Sequence, residues 1–135
     1  MTTGYSGTPL LKKLGIDEMT RVMVLNQPSD YFEFLETDIS LQLAKKNQKP
    51  DLVHLFARNR KEMERELTGL NTLIKANPRL VIWVSWYKKS AGISTDLTES
   101  HIRDYALAHG LVDIKVCAVS EQWSGLKLVV PRKLR

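Results

Sequence analysis

Apolar and polar positions follow two different periods along this chain, and the changes between them mark its elements. TRVMVLNQP is a short apolar run ended by Pro28 and reads as a buried strand. ISLQLAK alternates Ile39, Leu41 and Leu43, as expected of a strand with one face on a core. DLVHLFA is a further apolar run of strand length. From about Arg60 to Lys75 the period lengthens: Met63, Leu67, Leu70 and Ile74 recur at steps of three and four, which makes one apolar stripe on one helix. Asn59 suits its cap and Asn77-Pro78 stops it. LVIWVSW is apolar on both faces, the signature of a central parallel strand covered by helices, with Trp83 and Trp86 on opposite sides of it.

Shorter signals fill in the remainder. PLLKKLGI reads as a helical turn with Pro9 in its first turn. DYFEFLE is a short helix capped by Ser29 or Asp30. Thr98 fits an N-cap, Leu97 and Ile102 stand as the halves of a hydrophobic staple, and the helix ESHIRDYALAH ends at Gly110. VDIKVCAV and LKLVV are strands joined by SEQWSG, a hairpin. This order predicts one α/β domain over residues 1–135: an open, three-layer, Rossmann-like sheet, mostly parallel, closed by a C-terminal antiparallel hairpin.

Composition narrows the class without naming an activity. At 135 residues, 43% hydrophobic and 26% charged, the chain is an ordinary globular domain. Its longest apolar run, LVIWV, is too short to span a bilayer, and the N-terminus lacks the pattern of a secretory signal, so a cytoplasmic protein is expected. The lone Cys117, in a strand-like run, reads as a packed hydrophobe and leaves no internal disulfide or cysteine cluster. The net charge of +5 is spread through KKNQK, RNRK, Lys88-Lys89 and the tail PRKLR, which fits a solvated surface better than a nucleic-acid face.

Ligands of open α/β sheets bind outside the carboxyl ends of the strands. There the sequence places Asn26-Gln27-Pro28, Arg58-Asn59, Trp86 to Thr95, and the hairpin turn Glu121 to Gly125. Lys88, Lys89, Ser90, Thr95, Asp96, Trp123 and Ser124 are therefore expected neighbours. Lysines beside the start of a helix favour an anion. KKSAGIST nevertheless matches neither GxxxxGK(S/T) nor GxGxxG. The turn after the first strand, LNQPSDY, has no glycine, so an ordinary Rossmann cofactor is not expected. His54 reads as a core or edge histidine, and His101 and His109 as surface residues. No GxSxG elbow and no metal-spaced cluster occurs, so no catalytic residue and no metal are expected.

Three stretches carry a resemblance: GYSGTPLLKKLGI, WVSWYKKSAGISTDLTES and GLVDIKVCAVSEQWSGLKLVV. In this order they resemble a bacterial family of short single-domain proteins classed as a domain of unknown function, with ISLQLAKKNQK matching least. That resemblance implies a single domain and no activity to carry over. More distantly, the second half is similar to the end of Rossmann-like S-adenosylmethionine methyltransferases, where a central strand, a helix and an antiparallel hairpin also close the sheet. LNQPSDY departs from their glycine-rich cofactor turn.

The expected function is thus non-enzymatic: binding of a partner protein or an anionic small molecule at the carboxyl edge, with no cofactor. The candidate residues are Tyr5, Ser6, Lys88, Lys89, Thr95, Asp96, Trp123, Ser124 and Lys127. A reduced methyltransferase-like enzyme and a nucleic-acid binder are the alternatives.

Overall fold

Three apolar runs become parallel neighbours. β1 (Val22–Leu25), β2 (Leu52–Phe56) and β3 (Val81–Tyr87) pair in parallel, Val22 against Leu52 and Leu52 against Val81. β4 (Val112–Ala118) and β5 (Trp123–Val129) form the hairpin, and β5 inserts antiparallel beside β3. The strand order is β1-β2-β3-β5-β4. This is a computed structural model, and it describes residues 8–135. Tyr5 and Ser6 lie outside the described residues.

Every residue of β2 is buried, as a strand covered on both faces requires. One face packs Val53, Leu55, Ile82, Val84, Trp86 and Leu126 against α3 (Arg60–Gly69) and α5 (Glu99–Ala108). The other packs Phe56, Trp83 and Trp123 against α1 (Leu10–Leu14) and α2 (Tyr31–Leu35). The two tryptophans of β3 thus do face opposite layers. The result is a mixed α/β, mostly parallel open sheet between two helical layers.

Two of the expected side-chain caps form. Asn59 accepts the Glu62 N–H and Thr98 the His101 N–H, while Leu97 and Ile102 are both buried. Pro9 sits at the N-cap of α1, one position before the first turn. Asp30 precedes α2 without a side-chain cap bond. Gly110 takes φ +80 just beyond α5.

Two expectations are corrected. ISLQLAK is not a strand: Ser40–Gln42 is a 3₁₀ turn, Leu41 is fully exposed, and only an isolated parallel bridge joins Leu43 to Val22. Asp38 accepts the Ser40 N–H and Gln42 Nε2 donates to the carbonyls of Asp17 and Thr20, so side-chain bonds curl the backbone away from a ladder. The long helix is likewise two: α3 ends at Gly69, and α4 (Asn71–Ala76) restarts beyond Leu70. Glycine lowers helix propensity there, and Leu70, 3% exposed, keeps the break anchored in the core.

Gly125 has a packing reason to be glycine. A β-carbon on it would stand 3.0 Å from Val119 Cγ2 and 3.3 Å from Trp83 Cε3. Gly125→Ala is expected to cost about 1–3 kcal/mol by overpacking, read by urea denaturation.

Candidate functional site

The carboxyl edge carries two clefts, one on each face of the end of β3. Alternation along the strand separates them: Trp86 pairs with Ser124 on the α5 side, and Tyr87 with Trp123 on the α1/α2 side.

The first cleft, about 420 Å³, lies over the ends of β1 and β2 and is bounded by Asn26 to Asp30, Arg58, Tyr87 and Gln122. Its floor is aromatic. Trp123 stacks on Tyr87 with ring centroids 4.3 Å apart and meets Phe56 edge-on at 5.0 Å. The first residue after β1, Asn26, adopts φ +58, a left-handed conformation that asparagine tolerates better than most residues. Its side-chain amide donates to the Phe56 carbonyl at 3.1 Å and so ties the exit of β1 to the end of β2. The turn LNQPSDY therefore reaches a glycine-like backbone shape without glycine.

Arg58 is the held cation of this cleft. Glu62, at 7% exposed, accepts the Arg58 backbone N–H at 2.9 Å and both Nε and one terminal nitrogen of its guanidinium. The guanidinium keeps the Glu62 carboxyl below the usual carboxylate range and is itself pushed upward by that partner. Glu62 is fixed in turn by the Asn59 cap, so the start of α3 aims Arg58 over the rim.

The second cleft, about 960 Å³, opens between the loop after β3 and the first turn of α5. Lys88, Lys89, Ser90, Thr95 and Ser124 line it. Neither lysine forms an ion pair among the described residues. Two other candidates have structural duties. Thr95 donates to the Arg58 carbonyl and accepts the Leu97 N–H, and Asp96 accepts the Arg60 N–H at 2.8 Å. These bonds fasten the loop to the start of α3.

The edge divides the remaining candidates. Trp123 belongs to the first cleft, across the strand from Lys88 and Lys89. Lys127 lies four residues further along β5, opposite Trp83 and Lys115, in mid-strand away from the edge. Of the residues lining the first cleft the candidate set held Trp123 alone; Arg58, Asn26, Asp30 and Gln122 are among the polar ones it omitted. Asn59-to-Glu62 capping spacing was the signal that could have drawn attention to Arg58.

The histidines stand apart from both clefts. His54 is fully buried, between Tyr31 (2.9 Å) and Ser85 (2.7 Å). His101 bonds Glu64 at 2.6 Å and is only partly exposed, and His109 stacks on Tyr105. Burial raises the Cys117 thiol, which fits an inert packed residue. Among the described residues no group of three or more metal-ligating side chains could hold a metal ion, and no helix is long and apolar enough to cross a membrane.

The sheet order and helical layers place the chain among open Rossmann-like α/β proteins. A Streptococcus agalactiae protein in the NADB-Rossmann superfamily matches it with TM-score 0.54 and 8% identity, over 91% of this chain and 68% of the other. The B. subtilis M1A22 tRNA methyltransferase TrmK matches with TM-score 0.51 and 8% identity, over 92% of this chain and 66% of the other. At such identities the likeness shows the fold alone, and the chain spans about two thirds of the length of these proteins. No protein-family model and no curated protein matches the chain.

Proposed function

We propose that this is a Rossmann-like binding protein that takes a polar small molecule in the cleft between the carboxyl ends of β1 and β2. One observation carries this reading. The chain leaving β1 turns to α2 on one face of the sheet, whereas the chain leaving β2 turns to α3 on the other. Where neighbouring connections diverge, the strand ends leave a crevice, and open α/β sheets bind ligands there. The 420 Å³ cleft occupies that place, with Arg58 and the side chains of Asn26, Asp30 and Gln122 as polar contacts.

The test is a thermal-shift screen with nucleotides, sugar phosphates, amino acids and S-adenosyl compounds. A ligand at a hundred times its Kd stabilises by about 2.7 kcal/mol. The hit is expected to lose at least about tenfold in affinity in Arg58→Ala, and more in Asn26→Ala than in Asn26→Gly, because a left-handed alanine costs about 1–2 kcal/mol. A hit indifferent to Arg58 and Asn26 places the ligand elsewhere.

The second reading is a methyltransferase-like enzyme. The left-handed Asn26 at the first strand's exit favours it, since that turn approaches the cofactor in Rossmann folds. So does the fold likeness to a tRNA methyltransferase. It requires binding of S-adenosylmethionine or S-adenosylhomocysteine; titrations that stay flat for both at millimolar concentration remove it.

A further inference from the structure

We infer that the site continues across the edge of the sheet, and that its ligand is a phosphorylated small molecule with the phosphate held by Lys88 and Lys89. This rests on the ligand-binding reading above and names the ligand class for the same site.

The two clefts are not independent spaces. Tyr87 lines both, and what stands between them is the end of the β3–β5 ladder: Tyr87 paired with Trp123, and the Lys88 N–H donating to the Gln122 carbonyl at 2.8 Å. Tyr87 is therefore the residue the two clefts share, and the proposed ligand lies across it.

Their chemistry differs in a way that fixes the ligand's polarity. In the second cleft, Lys88 and Lys89 have no carboxylate partner among the described residues. The acid that lines it, Glu99, is already met by Arg103, which also bonds Asp113. That cleft is left net positive, with the hydroxyls of Ser94 and Ser124 beside the lysines. In the first cleft the positive charge of Arg58 is met by Glu62, and Asp30 with the amides of Asn26 and Gln122 offers both donors and acceptors. Such groups suit hydroxyls, which need both. A single molecule satisfying the two ends carries an anion at one and a neutral hydroxyl-bearing body at the other, as a sugar phosphate does.

Joining two weakly bound parts in one molecule raises affinity well beyond either part, because the second contact becomes intramolecular. Calorimetric titration of the full chain with glucose 6-phosphate, ribose 5-phosphate, glucose, ribose and inorganic phosphate tests this. At least one sugar phosphate is expected to bind about tenfold or more tightly than its free sugar and than phosphate. Lys88→Ala with Lys89→Ala should bring it down to the level of the free sugar, and Lys88→Arg with Lys89→Arg should retain most of the gain. The lysines lie outside the core, so a melting curve of each double variant is expected to match the parent. The inference is overturned if no sugar phosphate outbinds its free sugar, if the double alanine variant keeps the gain, or if none of the probes binds at millimolar concentration. Free-sugar binding that is lost in Arg58→Ala, without any gain from phosphate, would overturn the extension alone. The failure of the wider screen above would overturn the site itself.

Discussion

Replacing His54 with alanine is expected to lower the unfolding free energy by about 4 kcal/mol, the sum of a cavity and two orphaned hydroxyls. The ring is fully buried, stacks on Phe56 at 4.2 Å and links the Tyr31 hydroxyl to the Ser85 hydroxyl. A neutral imidazole meets both neighbours, one nitrogen donating and the other accepting. Burial holds its pKa down to about 3 and drives the Tyr31 hydroxyl upward. The sign of the pH dependence follows. The unfolded chain takes up a proton near pH 6.5 that the folded chain refuses until about pH 3. The neutral histidine's contribution is therefore complete above about pH 6.5 and shrinks as the pH falls toward 3, by up to about 1.4 kcal/mol per unit. Urea denaturation of parent and His54→Ala at pH 7, 6, 5 and 4 isolates this group, since other titrations are common to both. The gap between the two proteins should narrow on acidification, and a constant gap would show that His54 stays accessible to protons in the fold.

Trp83→Ala is expected to cost about 3–5 kcal/mol and to release α1 from the sheet. Trp83 is fully buried among Phe56, Val119 and Trp123, and its indole N–H donates to the Leu14 carbonyl at 3.0 Å. A helix of five residues does not hold itself together in water, so α1 depends on that bond and on the burial of Leu10 and Leu14. Trp83→Phe keeps most of the apolar contact and loses the bond, for a cost of about 1 kcal/mol. Hydrogen exchange separates the effects. In Trp83→Ala the amides of α1 should lose protection before those of β2 and β3, whereas equal protection throughout would mean that α1 is held from elsewhere.

These two residues also mark how far local pattern reaches. Trp83 was legible as one side of a doubly covered strand, because alternation fixes which residues share a face. Its bond to Leu14 was not, since the partners are far apart in the chain and meet only when α1 folds over the sheet. His54 was legible as a core histidine from the apolar run around it, but its Tyr31 and Ser85 partners come from other elements. ISLQLAK had a clean strand pattern and became a turn, because side-chain bonds to Asp17, Thr20 and Ser40 prevailed over the alternation. Leu70 carried the helical stripe across a break that Gly69 sets in the backbone.

The candidate site divides in the same manner. Lys88, Lys89, Ser90, Thr95 and Ser124 could be gathered from the sequence because each follows or opens a recognisable strand, and strand ends share an edge. The order of residues was enough for the α/β class, the Asn59 and Thr98 caps, the parallel strands with their closing hairpin, and the stretch of chain at the carboxyl edge. These depend on periodicity and on hydrogen bonds a few residues long, which any reading of the chain can follow. It took the folded arrangement to show that the edge has two clefts, that Trp123 and the lysines lie on opposite sides of it, that Lys127 stays in mid-strand, and that Arg58 is aimed by Glu62 over the point where β1 and β2 diverge. Those facts depend on which face each helix takes and on the register between strands, and both are set by packing among residues that the chain keeps far apart.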